Sequence, residues 1–116
     1  MVEVVIAVFF AGMGVYALAA PAAMLGPFGV TLGTATARSE VRAVYGGFGL
    51  AIAAVLIYAV RVPEVRTGVL VTVGAALAGM AVGRLASVFG ERTPFYPNWF
   101  YCLVEAVGAA VLFWSV

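Results

Sequence analysis

The sequence predicts an all-α protein, a membrane-spanning four-helix bundle with up-down-up-down connections. Three observations carry that expectation. Hydrophobic residues make up 66% of the 116-residue chain and charged residues 9%, far from the roughly 45–50% and about 25% of soluble globular domains. Mean hydropathy is +1.17, and the apolar residues fall in runs of about 20, the length of helix that crosses a hydrocarbon core about 30 Å thick. Short segments rich in Gly, Pro, Thr and Arg separate these runs. The result is a single domain over residues 1–116 with spans near 2–24, 42–61, 67–89 and 98–115.

Span one is too long and too poor in basic flanking residues for a cleavable signal peptide, and Glu3 has the wrong sign for a charged leader. Pro21 is positioned to kink or end this helix. The following "GPFGVTLGTATARSE" reads as a loop, so span two starts near Ser39 and Glu40. "RVPEVR" joins spans two and three in so few residues that they must be antiparallel neighbours, and "GERTPFYPN" joins spans three and four in the same way. Four crossings put the first and third loops on one side, here called the polar side, with both termini and "RVPEVR" on the other. Arg61 and Arg66 crowd the short terminal-side loop, whereas Arg38, Arg42 and Arg92 are spread over two longer ones. That local density points to cytoplasmic termini.

The charged residues are six arginines and five glutamates, with no lysine, histidine or aspartate. With no histidine and only Cys102, one chain cannot assemble a His/Cys metal site or an internal disulfide. Cys102 beside Leu103 reads as a small apolar residue. No cofactor motif emerges either: "GGFG" lies inside an apolar helix and lacks the lysine of a phosphate loop. A net charge of +1 gives no reason to expect a nucleic-acid partner. The bilayer itself is the first partner.

Arg84 and Glu105 are charges placed well inside apolar spans, several residues from the span ends. Arg84 precedes the end of span three by about five residues and Glu105 lies about seven into span four, so at about 1.5 Å per residue both sit roughly 8–11 Å below the polar-side boundary. Matched depth on adjacent antiparallel helices predicts an ion pair, which is how such groups tolerate a low-dielectric region. Span two carries Arg42 and Tyr45 on one stripe with Gly46, Gly49 and Ala53. Span four repeats Asn98, Tyr101, Cys102, Glu105, Gly108 and Ala109 at intervals of three and four. Tyr16, near the middle of span one, is positioned to approach the same interior. All four helices are therefore expected to contribute to one polar-side pocket formed by Arg84, Glu105, Arg42, Tyr45, Tyr101, Asn98 and Tyr16.

Three functions compete for that pocket. In the first, it binds or helps transport a small amphipathic, lipid-like ligand, with the polar end of the ligand toward Arg84. In the second, the chain is a structural or accessory subunit and the ion pair only fixes helix packing. The third is an enzyme of the proton-transfer isomerase type using Glu105. The absence of histidine, a cysteine pair or a nucleophile with a visible base weighs against it. "GMAVG" at Gly79 and Gly83, with "AGMG" and "YGGFG", offers small faces for helix packing inside the bundle or for a homo-oligomer. The aromatics of "FYPNWFY" mark the headgroup level, with Tyr96 and Trp99 at the interface.

The segments "SEVRAVYGGFGLAIA" (39–53), "AGMAVGRLASV" (78–88) and "PNWFYCLVEAVG" (97–108) give the chain a family likeness. It resembles domain-of-unknown-function family 4345, small bacterial four-span membrane proteins. The resemblance spans nearly the whole chain and implies that Arg42, Tyr45, Arg84 and Glu105 are the recurrent polar features. It also implies a bacterial inner membrane location, without supplying a function. At the level of architecture the layout is similar to DoxX-like and sterol-isomerase-like membrane bundles with polar pockets for hydrophobic small molecules, an analogy that does not carry function.

Overall fold

A computed structural model describes residues 1–116. The chain is all-helical, with four long helices: α1 (Val2–Ala19), α2 (Ala35–Arg61), α3 (Pro63–Ser87) and α4 (Phe95–Trp114), of 18, 27, 25 and 20 residues. Each is long and apolar enough to cross a membrane, as in a membrane protein built as a helical bundle. The chain forms two compact units, Glu3–Arg61 with α1 and α2, and Val62–Val116 with α3 and α4.

α1 ends at Ala19, earlier than the span to residue 24 expected from hydropathy. Pro21 disfavours helical backbone in the residue before it, and Ala20 accordingly leaves the helix at φ −144, ψ 66. Pro21 then opens a one-turn helix, Pro21–Leu25, from the first position, where a missing N–H costs little. A 3-10 turn at Gly26–Phe28 follows and closes on Gly29, whose φ of 74 is left-handed backbone that glycine adopts without a steric penalty.

α2 starts at Ala35 rather than near Ser39, because Thr34 caps it. The Thr34 hydroxyl oxygen accepts the Ala37 N–H at 3.0 Å, satisfying one of the donors that a helix start leaves open. "ATARSE" is therefore helix, although it reads as loop. Between Arg42 and Gly47 the helix widens into a π turn. The wider turn makes Val41 and Gly46, five residues apart, both buried, and the face continues at normal spacing through Gly49, Ala53, Leu56 and Ala59.

The α1 face toward α2 is the stripe Ala7, Phe10, Gly14 and Ala17. A Cβ on Gly14 would lie 2.8 Å from the Gly46 carbonyl oxygen, and one on Gly49 would lie 2.9 Å from that of Phe10. The two antiparallel helices thus touch backbone to backbone, which only residues without side chains permit.

Val62 alone separates α2 from α3, so most of "RVPEVR" is helical. Pro63 occupies the first turn of α3 and Glu64 favours its positive end. α3 buries Leu70, Val73, Gly74, Leu77 and Ala81. After Ser87 the backbone turns, and α4 begins after Pro94 with an irregular wide turn, Phe95–Trp99, in which Tyr96 is extended at φ −103, ψ 131. From Phe100 the helix is regular and buries Cys102, Glu105, Gly108, Ala109 and Leu112.

Candidate functional site

The buried stripes of α3 and α4 face each other in antiparallel order, and three contacts fix their register. At the terminal end, a Cβ on Gly74 would lie 3.0 Å from the Phe113 ring, so that ring packs directly on the α3 backbone. Arg66 Nη1 donates to the Ser115 carbonyl at 2.9 Å. Ser115 closes α4, so Arg66 supplies both a donor for a C-terminal carbonyl and a cation at the negative end of the helix dipole.

At the other end the α3 stripe continues one step beyond Ala81 to Arg84. Arg84 Nε donates to Glu105 Oε1 at 2.8 Å and Nη2 donates to Oε2 at 3.1 Å, a bidentate pair in which each carboxylate oxygen accepts one bond. One turn away, Cys102 Sγ donates to the Ala81 carbonyl at 3.5 Å and joins the same two helices. The Tyr101 ring lies 5.6 Å from the guanidinium carbon, within cation–π range. Tyr101 itself packs edge-on with Phe100 at 5.1 Å and against the tilted ring of Tyr96 at 6.0 Å.

The two partners are unequally buried. The Glu105 side chain retains 5% of its surface and that of Arg84 retains 23%. A buried carboxylate needs a partner because desolvation otherwise penalises its charge heavily. Arg84 meets that need with one edge of its fork, while part of its side chain stays accessible. The chemistry on offer is a permanent cation locked in orientation by an anion and an aromatic ring.

Asn98 belongs to the irregular first turn of α4, where Nδ2 donates to Thr93 Oγ1 at 3.3 Å. In the other unit, Arg42 Nε donates to the Leu18 carbonyl at 3.1 Å. Leu18 lies in the last turn of α1, whose carbonyls are left open where the chain leaves the helix at Ala20, so Arg42 plays toward α1 the part that Arg66 plays toward α4. Tyr45 is half-buried against the cluster of Ala17, Leu25 and Val41. Tyr16 is 49% exposed. It stands beside Ala17 of the buried stripe of α1 in sequence and is not one of the buried residues of that stripe.

Two features have no counterpart in the sequence reading. Arg66 anchors α4, a role hidden because loop arginines read as orientation signals. Glu3 is buried, with the terminal ammonium 3.9 Å away. Its spacing with Ala7, Phe10 and Gly14 is the helical signal that places it on the inner stripe.

Comparison with curated proteins and with solved structures gives no match. The chain matches the family described as Domain of unknown function (DUF4345) over residues 1–116, its whole length, and belongs to that family.

Proposed function

We propose that the protein binds a small amphipathic, lipid-like ligand, in a binding or transport-associated role, with the polar end of the ligand against Arg84. The observation that carries this reading is the unequal burial of the ion pair. Glu105 is enclosed and orients the guanidinium, while Arg84 keeps 23% of its side-chain surface. A cation held in one orientation loses little freedom when an anionic or polar headgroup arrives. Tyr101 adds an aromatic wall beside it. A charged residue at this position in an apolar span is a functional candidate by default.

The test is native mass spectrometry of gently solubilised protein, with lipid extraction of the same samples. Wild type is compared with Arg84→Gln and with the doubly neutral Arg84→Gln/Glu105→Gln, which removes the cation without leaving the carboxylate unpaired. A small adduct of defined mass on wild type, absent from the folded double variant, supports the reading and gives the ligand's mass. An adduct retained by the double variant refutes it.

The closed bidentate geometry favours a second reading, a structural or accessory subunit in which the pair fixes helix register. A bare wild type whose Arg84→Gln form unfolds would support that alternative. The remaining elements of the proposal are a bacterial inner membrane, cytoplasmic termini argued from Arg61 and Arg66, and a homo-oligomer. Gly79 and Gly83 support the last, since both are exposed and a Cβ on either would meet nothing within 4 Å.

A further inference from the structure

The turn between α3 and α4 holds an open cleft of about 400 Å³ lined by Val88, Arg92, Thr93 and Trp99. It lies just past Ser87, where α3 ends, and before the regular part of α4 begins at Phe100. On a spanning helix that is the level of the headgroups, where Trp is enriched.

Each polar side chain of the lining, on Arg92, Thr93 and Trp99, can donate a hydrogen bond. Arg38, Arg42, Arg66 and Arg84 each donate within the chain, to Leu32, Leu18, Ser115 and Glu105. Arg92 makes no hydrogen bond or ion pair within the chain and is exposed. The carbonyls at the end of α3 do not compete for it, because those of Leu85, Ala86 and Ser87 accept the amides of Val88, Phe89 and Gly90. Thr93 Oγ1 accepts the amide of Asn98, which leaves its hydroxyl proton to donate elsewhere. The Trp99 indole N–H is a donor without acceptor capacity. Glu91 precedes Arg92 in sequence but does not line the cleft.

A guanidinium, a hydroxyl and an indole N–H beside the apolar surface of Val88 and the Trp99 ring suit an anion with several acceptor oxygens. We propose that this cleft binds a phosphate group, with Arg92 as its cation and Val88 and Trp99 against the apolar part of a lipid that carries it. The site is separate from the Arg84–Glu105 pair, and either assignment can fail without the other.

The test uses the full chain in a neutral detergent with Trp114→Phe, which leaves Trp99 as the only one of the two tryptophans and so as the reporter. Its fluorescence is followed during titration with short-chain phosphatidylglycerol, with inorganic phosphate and with short-chain diacylglycerol, which has the same tails and no phosphate. A saturable response to phosphatidylglycerol is expected, with none to diacylglycerol. Arg92→Gln should raise the half-saturating concentration about tenfold, the scale of one lost charge-assisted hydrogen bond, and Thr93→Val should raise it by less. Saturation by phosphatidylglycerol alone identifies a lipid headgroup, and saturation by inorganic phosphate as well identifies a general phosphate site. An equal response to diacylglycerol, no saturable response to either phosphate probe, or an unchanged midpoint in both variants overturns the proposal.

Discussion

Arg84 and Glu105 meet through two parallel hydrogen bonds, at 2.8 Å and 3.1 Å, and no other contact joins α3 and α4 through two charged side chains. Because the carboxylate is the more enclosed partner, the two single neutralisations should differ. Arg84→Gln strands a buried anion and should cost about 3 kcal/mol, the lower range for breaking a buried pair. Glu105→Gln leaves a cation whose partly exposed stem can turn outward, so it should cost less. The double variant should recover most of the loss. Thermal midpoints of the four proteins in one detergent check this, and a double variant no more stable than Arg84→Gln would show that the pair does not act as a unit.

Within "AGMG", Gly12 and Gly14 should respond in opposite directions to the same substitution. A Cβ on Gly14 falls 2.8 Å from the Gly46 carbonyl and 2.9 Å from the Leu50 side chain, whereas one on Gly12 meets nothing within 4 Å. Gly14→Ala should force the α1 and α2 backbones apart and destabilise by about 1–3 kcal/mol. Gly12→Ala should be neutral or stabilising by up to about 1 kcal/mol, since alanine is the better helix former. Thermal midpoints measured side by side decide it.

Arg42 and Arg66 each donate to a carbonyl at the end of a neighbouring helix, at 3.1 Å and 2.9 Å. Removing that donor and its charge should cost about 1 kcal/mol at each position. The effect should also be local. Arg66→Gln should raise amide exchange in the last turn of α4 and leave the turn around Pro21 unchanged, and Arg42→Gln should do the reverse. Hydrogen exchange resolved by peptide would separate these from a general loss of stability.

What was legible in the sequence, and what was not, divides along physical lines. The α4 stripe of Cys102, Glu105 and Ala109 was readable because a regular helix turns its faces at a fixed period. The Arg84–Glu105 contact was readable because equal depth on antiparallel neighbours leaves little other choice. The π turn at Arg42–Gly47 was not, since one extra residue per turn leaves no mark on composition and yet puts Val41, in place of Arg42, on the buried face with Gly46. The start of α2 was hidden for a different reason: Thr34 reads as loop until its hydroxyl is seen on the Ala37 amide. For Tyr16 the depth in the span was legible and the direction around the helix was not; the residue is 49% exposed.

Gly79 and Gly83 complete the argument about small residues, because here a permissive face is left uncovered by the α3–α4 pairing. Both lie on the exposed side of α3 with Thr72, Ala76 and Ser87 at helical spacing. Gly14 and Gly49, by contrast, are already filled by α1–α2 contact. If the exposed face packs against a second copy, Gly83→Ile should weaken self-association with little effect on the stability of the single chain, since a Cβ there meets nothing within 4 Å. The same substitution at Gly49 should unfold the α1–α2 pair. Cross-linking in native membranes together with thermal midpoints distinguishes the two effects. A Gly83→Ile protein that keeps its oligomer at tenfold dilution relative to wild type, a difference equivalent to about 1.4 kcal/mol, would remove this face from the interface.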